Sequence, residues 1–245
     1  MADRIVSLVP SWTETLFELG VGARVVGVTD WCVHPAAGVA AVPRVGGTKN
    51  PRLDAITALA PDLVVANREE NRKKDVEALL TRGIRVWVSD ARSVAAAVRE
   101  IGELAALVGV SERAAPLIAA CIKEIDRSPT AALRAFVPIW KDPWMTMNRD
   151  TYMHDMLRLS GADNIFADRR DRYPRVSLDD VIALKPALIL LPDEPYRFSE
   201  SDAAAFANAL PYARVELVDG TLLSWYGPRI PRALEIVRAI VARNN

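Results

Sequence analysis

The stretch LDAITALAPDLVVA, Leu53 to Ala66, is echoed by LDDVIALKPALILL, Leu178 to Leu191. Leu, Asp, Ala, Leu, Pro and Leu stand in the same six of fourteen positions. Each copy reads as a short helix, a turn at a proline (Pro61 or Pro186) and an apolar run suited to a strand buried on both faces. The offset of 125 residues is about half of the 245-residue chain, so each half builds the same helix-turn-strand element.

The surrounding sequence supports that duplication. In the first half, RIVSLVP, RVVGVTD, PDLVVAN and IRVWVSD read as strands and alternate with helical patterns such as KKDVEALLTRG. Ser11 and Glu14 have the spacing of a capping box opening the helix SWTETLFELG, which Gly20 closes. From Ser93 to Arg127 the pattern is mostly helical, punctuated by Gly109 and Pro116. A strand at ALRAFVPIW then opens a second alternation: two helices, the strand PALILLP, a helix, the strand RVELVDG and a final helix. Strands alternating with helices imply parallel sheets covered on both faces. The fold expected is α/β: two Rossmann-like lobes joined by a long backbone helix. Its divisions are residues 1–92, 93–128 and 129–245. Ligands of open α/β sheets sit beyond the carboxyl ends of the strands, so a cleft between the lobes, walled by those loops, is expected to be the site.

Charge excludes some functions. Lys plus Arg number 31 and so do Asp plus Glu, which leaves no net field toward nucleic acid or an anionic membrane. No apolar run reaches the roughly 18 residues of a membrane span. Cys32 and Cys121 are too few and too far apart for a disulfide framework or structural zinc, and Cys121 sits in an apolar helical pattern as a core residue. The start MADRIVSLVPS passes directly into a strand pattern with no leader signature. This reads as a cytoplasmic protein, or as a periplasmic or cell-surface one whose leader has been removed. No nucleophile elbow, phosphate-binding loop or dinucleotide fingerprint is present, so no enzyme activity is expected.

The segments RIVSLVPSWTETLFELG, VVGVTDWCVHP, VPRVGGTKNPRLDAITALAPDLVVA, GADNIFAD and YPRVSLDDVIALKPALILL together resemble the substrate-binding proteins of vitamin B12 and iron-chelate ABC importers. These are the class III periplasmic binding proteins of the helical-backbone metal-receptor superfamily, and the cobalamin-binding branch is the most similar. The resemblance implies a monomer with no intrinsic cofactor, a corrinoid or metal chelate as ligand, and an ABC permease as partner. It implies ligand contacts at Tyr173 and Trp31. Where the cobalamin binders carry tryptophans this chain has Thr48 and Asn67, and where they carry an acid and an arginine it has Thr221 and Trp225.

Aromatics beside predicted strand ends fit a large planar ligand, because they bury much area while staying rigid. Trp12, Trp31, Trp140, Trp144 and Trp225 lie at such places, whereas Trp87 falls inside a strand as a core residue. SWYGPR adds Tyr226 and Arg229, and the loops NREEN and PDEPY add Asn67, Arg68, Glu194 and Tyr196. Arg229 and Arg68 would orient the ligand. Asp54 and Asp179 each open the repeated helix, where the macrodipole favours an acid; the resemblance also implies permease docking there. His34 and His154 are the only histidines and would anchor a direct metal-ion receptor, with Cys32, Glu69, Glu70 and Asp155 as further ligands. A cytoplasmic relative, either an intracellular carrier or sensor or an enzyme using Glu69, Lys141, Glu194 and Arg229, is the remaining alternative.

Overall fold

The structure is a computed structural model that describes residues 2–127, 129 and 132–243. Residue 128, the expected end of the helical linker, lies outside the described residues. The chain divides into two compact units. The first comprises residues 1–91, 96–120 and 226–228, and the second residues 92–95, 121–225 and 229–245.

The first unit is built on β1 (Ile5–Ser7), β2 (Val25–Val28), β3 (Leu63–Asn67) and β4 (Val86–Ser89), all parallel, in the order β2-β1-β3-β4. Its helices are α1 (Pro10–Glu18), α2 (Ala36–Val39), α3 (Leu53–Ala58) and α4 (Lys73–Thr81), with most of α5 (Val94–Leu107) and the first part of α6 (Ser111–Asp126). Every residue of β3 is buried, which is why Leu63 to Ala66 read as an apolar run rather than an alternation before the polar Asn67.

The second unit repeats that topology with β5 (Leu133–Phe136), β6 (Ala162–Asn164), β7 (Leu188–Pro192) and β8 (Arg214–Val218), parallel and ordered β6-β5-β7-β8. Its helices are α7 (Tyr152–Leu159), α8 (Leu178–Leu184), α9 (Glu200–Ala209), α10 (Thr221–Ser224) and α11 (Ile230–Ala242). The period of two along a strand divides this core in half. Ala135, Leu188 and Leu190 face Leu157 of α7, Leu223 of α10 and Val237 of α11. The alternate residues Phe136, Ile189 and Leu191 face Val181 of α8 and Phe206 of α9.

Two details differ from the sequence reading. Ser11 does not cap α1: Val9 is the N-cap without a side-chain bond, and Ser11 is inside the helix. Pro10 decides this, because its fixed φ and missing N–H suit the first helical position. Strand β6 has no counterpart in the sequence reading, since two of its three residues, Asp163 and Asn164, disfavour strands and only pairing with β5 makes them extended.

Candidate functional site

In the first unit the loops after the strands are held by a buried polar lattice. Asn67, the last residue of β3, donates through Nδ2 to Ser89 Oγ at 2.8 Å. Its Oδ1 accepts the backbone N–H groups of Glu69 and Glu70 at 2.8 and 3.1 Å. Asn71 accepts from Asn67 N–H at 2.8 Å and donates to the Thr48 carbonyl at 2.9 Å. Asn67 and Thr48, both candidate ligand contacts, are buried, and the Asn67 side chain and the Thr48 carbonyl take part in these bonds.

Trp12 is fully buried and donates its indole N–H to Ser89 Oγ at 2.7 Å. Its ring meets Trp87 edge-on at 5.2 Å and Tyr226 at 5.6 Å. Trp87, expected in the core, is half-buried. Tyr226 is buried, its hydroxyl bonded to Asn67 and its pKa raised by desolvation. Gly227 next to it has φ +80°, and an added Cβ would lie 2.0 Å from Thr15 Oγ1, so only glycine fits there. Trp31 is the contrasting case, 67% exposed in the turn after β2. Arg68 is exposed and paired with Asp90 at 3.2 Å.

In the second unit the loops after all four strands carry candidate side chains. After β7, Glu194 Oε1 accepts from Trp225 Nε1 at 2.6 Å and from Ser224 Oγ at 2.9 Å. Burial raises the Glu194 carboxyl above its ordinary range, helped by Asp193 and Asp219, although those two hydrogen bonds oppose the rise. The Arg229 guanidinium lies 4.4 Å over the Trp225 ring and donates to Thr221 Oγ1 at 2.8 Å. Gly220 makes the approach possible, because a Cβ there would come within 2.8 Å of the Glu194 backbone. Glu194, Trp225 and Arg229 therefore form one assembly, with Trp225 buried in it.

After β5, Trp140 is 45% exposed and meets Tyr196 edge-on at 5.4 Å. Tyr196 contacts Phe198 at 4.8 Å, and Phe198 stacks on Trp144 at 5.9 Å. Trp144 packs on the α8–α9 side of the core, with Lys141 Nζ 5.8 Å over its ring. After β6, Tyr173 is 37% exposed. It lines an open pocket of about 470 Å³ with Met145, Arg169, Arg170, Asp171, Pro174 and Arg175. Of these residues only Tyr173 is a candidate from the sequence, where the density of arginine in RRDRYPR is the signal for the others.

The other candidates occupy definite places. Lys141 pairs with Asp202 at 2.5 Å, which raises its pKa, so three of the polar residues considered for an enzyme, Lys141, Glu194 and Arg229, are engaged by protein groups. Asp54 and Asp179 lie in the first turns of α3 and α8, with Asp54 bonded to Arg82 at 2.8 Å. His34 and His154 belong to different units. Burial lowers the pKa of His154, while Asp155 is bonded to Val94 N–H and Arg158. Cys32 and Cys121 are buried free thiols whose pKa values burial raises, that of Cys121 to about 12. Among the described residues, no three His, Cys, Asp or Glu side chains gather as metal ligands, and no helix is long and apolar enough to cross a membrane.

Comparison with known proteins adds a family. The model of the family described as periplasmic binding protein matches residues 5–207. The vitamin B12-binding protein of Salmonella paratyphi A is 30% identical over 195 residues, covering 78% of this chain and 72% of that protein. The crystal structure of the periplasmic vitamin B12 binding protein BtuF of Vibrio cholerae superposes with a TM-score of 0.82 at 23% identity, covering 99% of both chains. The periplasmic heme-binding protein RhuT from Roseiflexus sp. RS-1 also gives 0.82, at 24% identity, over 99% of this chain and 100% of that one. At such identities these structures speak for the fold. The match over most of the chain shows that this protein belongs to the periplasmic binding protein family.

Proposed function

We propose that the chain is a substrate-binding protein for a corrinoid or a similar planar metal chelate, which it passes to an ABC permease. The observation that carries the reading is Trp140, exposed at the carboxyl end of β5 and braced edge-on by the half-buried Tyr196 after β7. A surface tryptophan 45% exposed, braced edge-on by a second ring, is rigid before any ligand arrives and so loses little entropy on binding. The vitamin B12-binding relatives support this ligand class. Tyr173, in the same unit, would add contact area. Asp54 and Asp179, exposed in matching first turns, are the proposed permease contacts.

The test is titration of the protein with aquacobalamin, dicyanocobinamide and ferric protoporphyrin IX, following tryptophan fluorescence and confirmed by calorimetry. The expected result is saturable binding at micromolar concentration or below by at least one of them, weakened tenfold or more in Trp140→Ala. Trp140 is the better variant than Trp225, whose loss would also strip Glu194 of a partner. No saturable binding by any of the three rejects the ligand class.

A further inference from the structure

The loop that carries Tyr173 is tied to Trp140 through backbone register. Met145 forms an antiparallel bridge with Trp140 on one side and with Arg175 on the other. Val176 N–H donates to the Trp144 carbonyl at 3.0 Å and Thr146 N–H to the Pro174 carbonyl at 3.1 Å. These bonds flank Met145 and Arg175, making them a non-hydrogen-bonded pair, the arrangement in which facing side chains come closest. Residues paired directly across strands project to the same face, with Cβ atoms about 5 Å apart. Trp140, Met145 and Arg175 therefore form a row on one face, with the Cβ atoms of Trp140 and Arg175 about two strand spacings, or roughly 10 Å, apart. That is the breadth of a flat macrocycle lying on the indole with its edge at the arginine.

The charges at the arginine end are only partly paired within the protein. Of the three arginines lining the pocket, Arg169 is paired with Asp180 at 3.0 Å. Arg170 and Arg175 make no ion pair among the described residues, and Asp171 is the only acid in the lining. Two exposed guanidiniums and a tyrosine around an open pocket favour an oxyanion, because guanidinium offers paired N–H donors that match carboxylate or phosphate oxygens.

We propose that Arg170 and Arg175 form an anion subsite that takes a carboxylate or phosphate carried by a planar ligand seated on Trp140. The inference rests on the ligand class proposed above and narrows it: the bound chelate has an ionised oxyanion substituent on its edge. The two chemical sources are separable. Ferric protoporphyrin IX offers free carboxylates that its dimethyl ester lacks, and aquacobalamin offers a phosphodiester that dicyanocobinamide lacks.

The experiment measures affinity for all four probes with the unmodified protein, Arg170→Gln, Arg175→Gln and the double variant, with Arg149→Gln as a surface-charge control outside the pocket. In at least one pair the anionic member is expected to bind tenfold or more tighter than its partner. The double variant should abolish that preference, leave the partner within about twofold, and reduce the salt dependence of binding. Arg149→Gln should change neither. Thermal melts of the variants within a few degrees of the parent would exclude loss of folding as the cause. Binding of both members of each pair with equal affinity, or a preference that survives in the double variant, overturns the subsite and leaves the ligand class standing. Failure of all four probes to bind overturns both.

Discussion

Glu100 on α5 accepts the Asp90 N–H at 2.9 Å, and burial, reinforced by Glu103 and Asp90, pushes its carboxyl from 4.5 up to about 7. The folded state therefore keeps a proton that the unfolded chain has already released above pH 4.5. Its contribution to stability is complete below 4.5, is lost as pH rises toward 7, and stays lost above that. Glu100→Gln keeps the shape and removes the ionisation. Relative to the parent, it should gain about 2 kcal/mol between pH 4.5 and 8, a value discounted for partial contact with water. Urea unfolding at several pH values checks this, and a difference independent of pH would contradict it. Side-chain identity was legible at this scale, and side-chain direction was not. Trp12, Trp31 and Trp140 share a sequence context of apolar run followed by loop, yet Trp12 is fully buried while Trp31 is 67% and Trp140 45% exposed. Trp12 lies in α1 and is held against β4 by Ser89 and Trp87, whereas Trp31 and Trp140 stand in the loops after β2 and β5.

Ser11 and Ser177 show the same limit for elements. Both are followed three residues later by an acid, yet only Ser177 makes the reciprocal box, accepting from Asp180 N–H at 3.0 Å while Asp180 Oδ2 accepts from Ser177 N–H at 2.9 Å. At Ser11, Pro10 has already started the helix one residue earlier. Ser177→Ala should accordingly cost about 1 kcal/mol, and Ser11→Ala less than half of that. Denaturant unfolding of the two variants side by side gives the comparison; equal losses would show that the cap at α8 carries no stability. Most strands and the longer helices were legible because their periods of 2 and 3.6 are strong and run over several residues. Strand β6 was not, because its three residues contribute little beyond the backbone bonds that β5 offers them.

For the whole molecule, the division crosses α5 between Ala95 and Ala96 and crosses α6 between Ala120 and Cys121, and α6 is the better fastened case. Its second part is fastened inside the second unit by Glu124, whose Oε2 and main-chain carbonyl accept from Arg238 of α11 at 2.7 and 2.6 Å. Arg127 bonds the other carboxylate oxygen at 2.9 Å, and together these bonds, Arg238 foremost, hold the Glu124 pKa below its usual range. Removing one partner of such a pair leaves the other charge poorly solvated. Glu124→Ala should lower the unfolding free energy by about 3 kcal/mol, measured by chemical denaturation. A loss under about 0.5 kcal/mol would mean that water replaces the carboxylate without cost.

The amino-acid sequence by itself determined the duplicated α/β topology, because hydrophobic period, turn prolines and the LDxxxALxPxL repeat are properties of the chain read locally. It also determined that the loops after the strands would carry aromatic and charged groups. Only the tertiary structure decided which of them serve one another. Trp225 is gripped by Glu194, and Asn67 donates to Ser89 at the end of β4. Trp140 joins Arg175 in one row through Met145. These pairings connect residues tens of positions apart, and they follow from strand register and close backbone approach, which are fixed when the sheet assembles.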